Sequence, residues 1–180
     1  MALAKSQFIG AAGQFYLSYA LAARHINVSL MLGNAPSVDA LASSSDGRRT
    51  MSIQVKTASN AKKKKYGKVG YEWYVGSAVI GKYAESFLYA FLDFKGDVTS
   101  QPDVFFIPSR WVAEFVKPDW SMFLYFLPAT QEIEALTKNR WDLVQHYLAG
   151  EPAALDWAQS WPREQLIEWG APKAEEAPPN

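Results

Sequence analysis

Alternating apolar and polar residues mark the segment from Thr50 to Thr57 as a β-strand, because successive side chains of a strand point to opposite faces. We expect the apolar residues to pack in the core. Gln54 and Lys56 stand on the polar face and therefore meet a different environment. A turn rich in Ser, Asp and Gly separates this strand from a predicted strand at Ser37 to Ala42, which carries Asp39.

An N-terminal helix is predicted from about Ser6 to Arg24, since apolar residues recur there at spacings of three and four. These apolar residues are Phe8, Ala12, Phe15, Tyr19 and Ala23. Gln14 lies off this stripe. Gly10 and Gly13 each cost a helix on the order of 1 kcal/mol relative to Ala. They therefore indicate a late start of the helix or a close backbone approach.

The rest of the pattern predicts further strands and helices. The segment Ser59 to Gly70 is so rich in lysine that we expect a loop. The predicted strands are Ile26 to Leu32, Tyr71 to Val75, Ser86 to Phe94 and Val104 to Ile107. The predicted helices are Arg110 to Val116, Asn139 to Leu148 and Ala153 to Trp169. Met122 to Phe126 forms either one more strand or a docking segment.

Charge is distributed unevenly although the net charge is zero. Residues 1 to 70 hold ten Lys/Arg and two Asp/Glu, whereas residues 71 to 180 hold eight Lys/Arg and sixteen Asp/Glu. The half that carries Gln54 and Lys56 is therefore basic, which suits an anionic partner such as nucleic acid. The absence of cysteine excludes disulfides, thiolate metal sites and cysteine nucleophiles.

The segments Pro36-Ser37-Val38-Asp39 and Ile53-Gln54-Val55-Lys56 resemble the two motifs of the PD-(D/E)XK, restriction-endonuclease-like nucleases. The resemblance covers roughly the first 110 residues. It implies an α/β fold with an αβββαβ core, in which helices flank a mixed central sheet, and a helical extension follows at the C-terminus.

The same resemblance implies a catalytic site. Asp39 takes the position of the metal-binding aspartate, Gln54 the second acidic position, Lys56 the lysine, and Gln14 the acid of the N-terminal helix. Gln14 and Gln54 depart from the acidic pattern, although some branches of the family use a Q-x-K form, including endonucleases that act on modified DNA. The implied cofactor is Mg²⁺ or Mn²⁺, held by Asp39 and Gln54.

Basic residues close to the motif are candidates for contacts with DNA phosphates. They are Arg48, Arg49, Lys62, Lys63, Lys64, Lys65 and Lys68. A solvated surface loop is the alternative explanation for the lysine run.

The function that follows is hydrolysis of DNA by a metal-dependent endonuclease of the restriction, repair or mobile-element type. The loss of two acids favours an alternative, a catalytically degenerate domain of the same fold that binds nucleic acid or serves as a structural subunit. An aromatic-rich C-terminal half keeps a protein-interaction domain open as well. No sequence-reading module is visible, so specificity would come from a homodimer or from a partner subunit.

Three regions are predicted: a nuclease-like core at 1–117, an aromatic-rich and mainly helical extension at 118–170 that packs on the core, and a disordered tail at 171–180. No run reaches about 18 apolar residues, and the first residues lack the features of a signal peptide. We therefore expect a cytoplasmic protein with no membrane partner.

Overall fold

The structure is a computed structural model, and it describes residues 2–31, 38–65, 68–76, 79, 82–115, 123–126 and 131–151. The helices in these ranges are α1 (Ala2–Ala22), α2 (Ser109–Phe115), α3 (Gln131–Thr137) and α4 (Trp141–Ala149). The strands are β1 (Asn27–Leu30), β2 (Ala40–Ser43), β3 (Thr50–Ala58), β4 (Lys62–Lys65), β5 (Lys68–Tyr74), β6 (Phe87–Asp93), β7 (Asp103–Pro108) and β8 (Phe123–Phe126).

A five-stranded mixed sheet with the order β1-β2-β3-β6-β7 forms the centre of the molecule. β3 and β6 run parallel, and the other neighbouring pairs are antiparallel. β4, β5 and β8 form a second, antiparallel sheet. The predicted α/β class, with a mixed central sheet flanked by helices, is confirmed.

The two faces of the central sheet bury two separate cores. Ile53 and Val55 point into a core that is shared with Leu17 and Leu21 of α1 and with residues of α4. The opposite core is dominated by aromatic side chains of β5, β6, β7 and α2, among them Trp73. Gln54 and Lys56 stand on the side of β3 that faces this second core.

The predicted loop at Ser59 to Gly70 is wrong, because β4 and the start of β5 form an antiparallel hairpin there. Lys62 to Lys64 are exposed, and β4 is an edge strand of the second sheet. An edge strand tolerates a run of lysines because repulsion between charged side chains prevents pairing with other chains. Strand pairing thus overrides the polar composition.

The predicted stripe of α1 does not face the core, since Phe8, Phe15 and Tyr19 are 76%, 63% and 69% exposed. The helix packs instead through Leu17 and Leu21. The helix carries almost no charge and has two apolar faces. Its sequence periodicity therefore does not identify which of the two faces packs on the core. The helix also begins at Ala2 and not at Ser6.

Elements beyond α2 pack on both sheets. β8 pairs with β5, so the described part of the segment predicted at Met122 to Phe126 is a strand. In α4, the ring of Trp141 lies 4.9 Å from that of Phe106, and the Arg24 guanidinium lies 4.4 Å from the Trp141 ring centroid.

The predictions for 153–169 and 171–180 fall outside the described residues. None of the described helices is long and apolar enough to cross a membrane.

Candidate active site

Asp39 stands immediately before β2, where backbone hydrogen bonds fix it on both sides. Its N–H donates to the Ile53 carbonyl (2.9 Å), and its carbonyl accepts from the Met31 N–H (2.9 Å). The residue is thereby held as part of the ladder between β2 and β3, at the end of β2 that lies beside Gln54. Its half-buried carboxylate consequently has a defined direction.

Three donors converge on the Asp39 carboxylate. Gln14 donates from Nε2 to Oδ1 (2.8 Å), and Gln54 donates from Nε2 to Oδ2. The backbone N–H of Val55 also donates to Oδ2 (2.7 Å). The structure therefore brings together three of the four residues proposed as catalytic, although they come from α1, the start of β2 and β3.

A glycine allows Gln14 to reach the site. Gly13 lies so close to Thr57 that a Cβ at Gly13 would overlap the Thr57 hydroxyl and would lie 3.1 Å from both Thr57 Cβ and Thr57 Cγ2. The close approach that the glycines of the helix indicated is thus found at Gly13. Gly10 has no atom within 4 Å of such a Cβ. Contact at Gly13 sets α1 against β3 at the level of the site.

Lys56 stands two residues after Gln54 and on the same side of β3. On the neighbouring strand β6, Lys56 is paired with Phe91, a residue of the aromatic core. Partial burial lowers the pKa of the Lys56 ammonium below its ordinary value, and the nearby negative charge of Asp39 opposes this effect. Lys56 is therefore a cation close enough to Asp39 for their charges to interact.

The Val55 N–H is a site group that reasoning from side chains missed. It donates to Asp39 because β2 begins only at Ala40, so Val55 lies beyond the last paired residue of β3 on that side and its N–H meets the Asp39 carboxylate. The antiparallel register between β2 and β3 is the signal that identifies this donor. The sequence alone does not fix that register.

The candidate phosphate-binding residues fall into two groups. Lys62, Lys63 and Lys64 are exposed on β4, which follows the end of β3 that carries Lys56. Lys65 and Lys68 pair across the hairpin that joins β4 to β5. All five lysines are thus carried by the connection that leaves the site.

Arg48 and Arg49 lie at the opposite end of β3. Arg48 forms an exposed ion pair with Asp46 (3.5 Å). The Arg49 guanidinium packs over Gly150 at the C-terminal end of α4, where the helix dipole favours a cation. Seven strand residues of about 3.3 Å each separate Arg49 from Lys56. The two arginines are therefore on the order of 20 Å from the site along the strand.

The described side chains of the site supply one carboxylate, two carboxamides and one ammonium group. Within the described ranges, no group of three or more His, Cys, Asp or Glu side chains could hold a metal ion. Asp39 and Lys56 balance each other in charge, and the two amides are neutral. Such a site can hold an anion next to Lys56, and it can offer a cation the oxygens of Asp39 and of the amides.

No protein-family model matches the chain, and no curated protein matches it. Among solved structures, its fold is similar to that of a bacterial homing endonuclease, I-Ssp6803I, with a TM-score of 0.54. The two chains are 12% identical, and the match covers 82% of this chain and 98% of the endonuclease. At this level of identity, the similarity establishes the fold. The chain therefore has the fold of that endonuclease.

Proposed function

We propose that the protein is a DNA endonuclease of the PD-(D/E)XK type in its Q-x-K form, with Mg²⁺ or Mn²⁺ as cofactor. The observation that carries the proposal is the convergence of Gln14 and Gln54 on Asp39, with Lys56 next to them. The same four positions are those that the sequence motif indicates. The similarity in fold to a homing endonuclease supports the proposal.

The donor set fits a divalent ion such as Mg²⁺, which takes oxygen ligands. Asp39 supplies carboxylate oxygens, and Gln54 supplies an amide oxygen once its side chain turns over. In the present structure both glutamines direct Nε2 at Asp39. An amide presents either N–H or oxygen from nearly the same place. Gln54 is thus able to satisfy Asp39 without metal and to serve as a ligand with metal.

The low net charge of the site affects the order in which Mg²⁺ and DNA bind. Mg²⁺ is usually held by one or two carboxylates together with substrate phosphates. Asp39 is the one carboxylate here, and the Lys56 charge offsets it. We therefore expect weak binding of Mg²⁺ to the free protein and much stronger binding in the presence of DNA, because a phosphate adds the missing negative charge.

Each side chain has a role in this proposal. When bound, the metal would act as a Lewis acid on the scissile phosphate and lower the pKa of a water molecule. Lys56 orients the attacking water and offsets charge that develops on the phosphate. Gln14 holds Oδ1 of Asp39 and so orients the carboxylate. Lys62, Lys63 and Lys64 contact the DNA backbone beside the site, which positions the duplex without reading its sequence.

A degenerate domain is the second candidate function, and one observation favours it. The Asp39 carboxylate already accepts three hydrogen bonds from Gln14, Gln54 and Val55. A carboxylate that is satisfied in this way needs no metal for stability. The domain would then bind DNA, or act as a subunit, without cutting.

A cleavage assay separates the two candidates. Purified protein is incubated with supercoiled, branched and single-stranded DNA across a series of divalent metals. The endonuclease proposal expects metal-dependent cutting by wild type and none by Asp39→Ala or Lys56→Ala, each of which removes a charge from the site. Cutting that persists in Lys56→Ala would come from a contaminant. Binding of DNA without cutting in any metal would favour the degenerate domain.

A further inference from the structure

Three aromatic side chains lie in line along the outer face of α1. Phe8, Phe15 and Tyr19 are 76%, 63% and 69% exposed. At about 100° per residue, they fall within an arc of about 40° and extend over about 16 Å of helix. We call them the aromatic stripe. Other large exposed apolar residues, such as Tyr83, are distributed over other elements. Scattered residues of that kind are normal on a protein surface.

The helix that carries the stripe has almost no charge. Lys5 is the one charged residue in its sequence. Each apolar face of a helix is normally buried against another surface. The inner face of α1 packs through Leu17 and Leu21, so the aromatic stripe is the apolar face that no other described element covers. An uncharged stripe selects an uncharged, apolar partner.

We propose that the aromatic stripe pairs with the same stripe of a second copy of the chain, with the two α1 helices antiparallel. A two-fold axis between Ala11 and Ala12 would place Phe8 of each copy opposite Phe15 of the other. Offset aromatic pairs of this kind are favourable. The small alanines at the axis permit the close approach of two helices. The pattern of large and small residues is therefore complementary to itself.

The area of the stripe agrees with a dimer of moderate affinity. Aromatic side chains bury about 150–250 Å² each when fully covered, so the exposed fractions of the three rings correspond to roughly 300–500 Å². A standard interface buries about 800 Å² on each partner. The stripe would supply about half of this area, and neighbouring parts of the helix would supply the rest. We expect a dissociation constant in the micromolar range.

Sedimentation equilibrium of the full chain over a range of concentrations tests the oligomeric state. The monomer has a mass of 20.1 kDa, and the proposal expects twice that mass at high concentration. Phe15→Glu should weaken self-association at least tenfold, and Tyr19→Lys should do the same. Tyr83→Glu, at an exposed position outside α1, is the matched control and should have no effect. Circular dichroism verifies that each variant is folded.

Disulfide trapping tests the geometry, because the chain has no cysteine of its own. Ala12→Cys should form a covalent dimer rapidly under mild oxidation, since a position near the axis meets its own copy within the roughly 7 Å limit for the Cα atoms of a disulfide. Tyr83→Cys should not form one. Trapping at Ala12 together with a dimer sensitive to Phe15→Glu would support the proposal.

Other outcomes would overturn it. A monomer at every concentration would do so, whether or not the Ala12→Cys thiol reacts with a maleimide. A monomer with a protected thiol would indicate that another part of the same chain covers the stripe. A dimer that Phe15→Glu leaves unchanged would place the interface elsewhere. These measurements use neither DNA nor metal, so they are independent of the nuclease proposal.

Discussion

Gly13 of α1 lies directly against Thr57 of β3, and this contact holds the helix beside the site. Gln14, the next residue, donates to Asp39 from that position. The missing side chain at Gly13 therefore allows α1 to pack directly on β3. A residue larger than glycine must displace either the helix or Thr57.

We predict that Gly13→Ala destabilises the protein. Alanine improves helix propensity by about 1 kcal/mol, but overlap with a β-branched neighbour costs about 1–3 kcal/mol. Rotation of Thr57 about χ1 cannot remove the crowding completely, because Thr57 Cβ, which does not move in such a rotation, is itself only 3.1 Å from the new Cβ. We expect a net loss of up to about 2 kcal/mol in the free energy of unfolding, measured by denaturant titration.

Two further variants provide the controls for this prediction. Gly10→Ala adds a methyl group where no atom lies within 4 Å, so it should stabilise the protein by up to about 1 kcal/mol. The double variant Gly13→Ala/Thr57→Ala should recover stability, since Thr57 Oγ1 is buried without a hydrogen-bond partner in the part of the chain that the structure describes. Equal effects of Gly10→Ala and Gly13→Ala would contradict the close contact.

A second prediction concerns Gln54→Glu. The new carboxylate replaces an amide that donates to Asp39, so two negative charges meet in the metal-free protein. We expect the free energy of unfolding to fall by about 1–3 kcal/mol in EDTA. Mg²⁺ should reverse this loss because a carboxylate is a stronger ligand than an amide. The measurement is thermal unfolding across a Mg²⁺ titration.

Gln54→Met is the matched control, because it removes the hydrogen bond without adding a charge. It should be destabilised in EDTA and should gain little from Mg²⁺. If Mg²⁺ raises the Tm of Gln54→Glu no more than that of wild type, Asp39 and Gln54 do not form a metal site.

A third prediction concerns the salt dependence of DNA binding. Each phosphate that a lysine neutralises contributes about −0.9 to the slope of log K against log [salt]. Replacing Lys62, Lys63 and Lys64 with Gln should therefore flatten the slope by up to roughly 3 units. Arg48→Gln, at the far end of β3, is the control for a general loss of basic charge. Fluorescence anisotropy over a salt series gives both slopes.

The expected result is a smaller slope for the lysine variant and an unchanged slope for Arg48→Gln. An unchanged slope for the lysine variant would mean that these lysines only protect the edge of the second sheet. A smaller slope for Arg48→Gln would mean that DNA extends along the whole of β3.

A fourth prediction concerns stability at alkaline pH. Burial raises the pKa of Tyr89 from 10.0 to about 12. Below pH 10 its hydroxyl is protonated in both the folded and the unfolded chain. Between pH 10 and 12 the unfolded chain loses the proton while the folded chain keeps it, so stability is lost as pH rises. The loss from this residue is up to about 2–3 kcal/mol.

Comparison with Tyr89→Phe isolates this effect from other groups. Burial and a hydrogen bond to Glu134 also raise the pKa of Tyr71, which acts in the same direction. The lowered pKa of Lys56 acts in the opposite direction below pH 10.5. Chemical denaturation at a series of alkaline pH values should give a smaller loss for Tyr89→Phe than for wild type. The exposed Tyr83→Phe is the matched control, and parallel curves for all three proteins would refute the prediction.

The sequence predicts the centre of the fold well because the signal there is local. Period-two alternation in β3 identifies both its buried face and the face that carries Gln54 and Lys56. The long apolar runs of β6 and β7 identify strands that are buried on both faces. Gln54 and Lys56 stand on β3, and the structure brings Gln54 into contact with Asp39, which lies immediately before β2.

The errors come from features that depend on strand pairing and on packing between elements, which the pattern within one segment does not encode. Lys62 to Lys65 form a strand because β5 pairs with them, which composition does not reveal. α1 has more than one apolar face, so only contact with the sheet selects its inner face. The Val55 N–H joins the site because of strand register, and no side-chain pattern encodes it.

The order in which the second sheet acquires its strands has a consequence during protein synthesis. β4 and β5 are adjacent in the chain, but Tyr74 of β5 pairs with Phe123, 49 positions later. The last strand of the central sheet ends at Pro108, so that sheet can assemble while β5 still lacks one neighbour. An unpaired strand edge is prone to association with other chains. Nascent chains that stop between β7 and β8 should therefore aggregate more readily than longer ones.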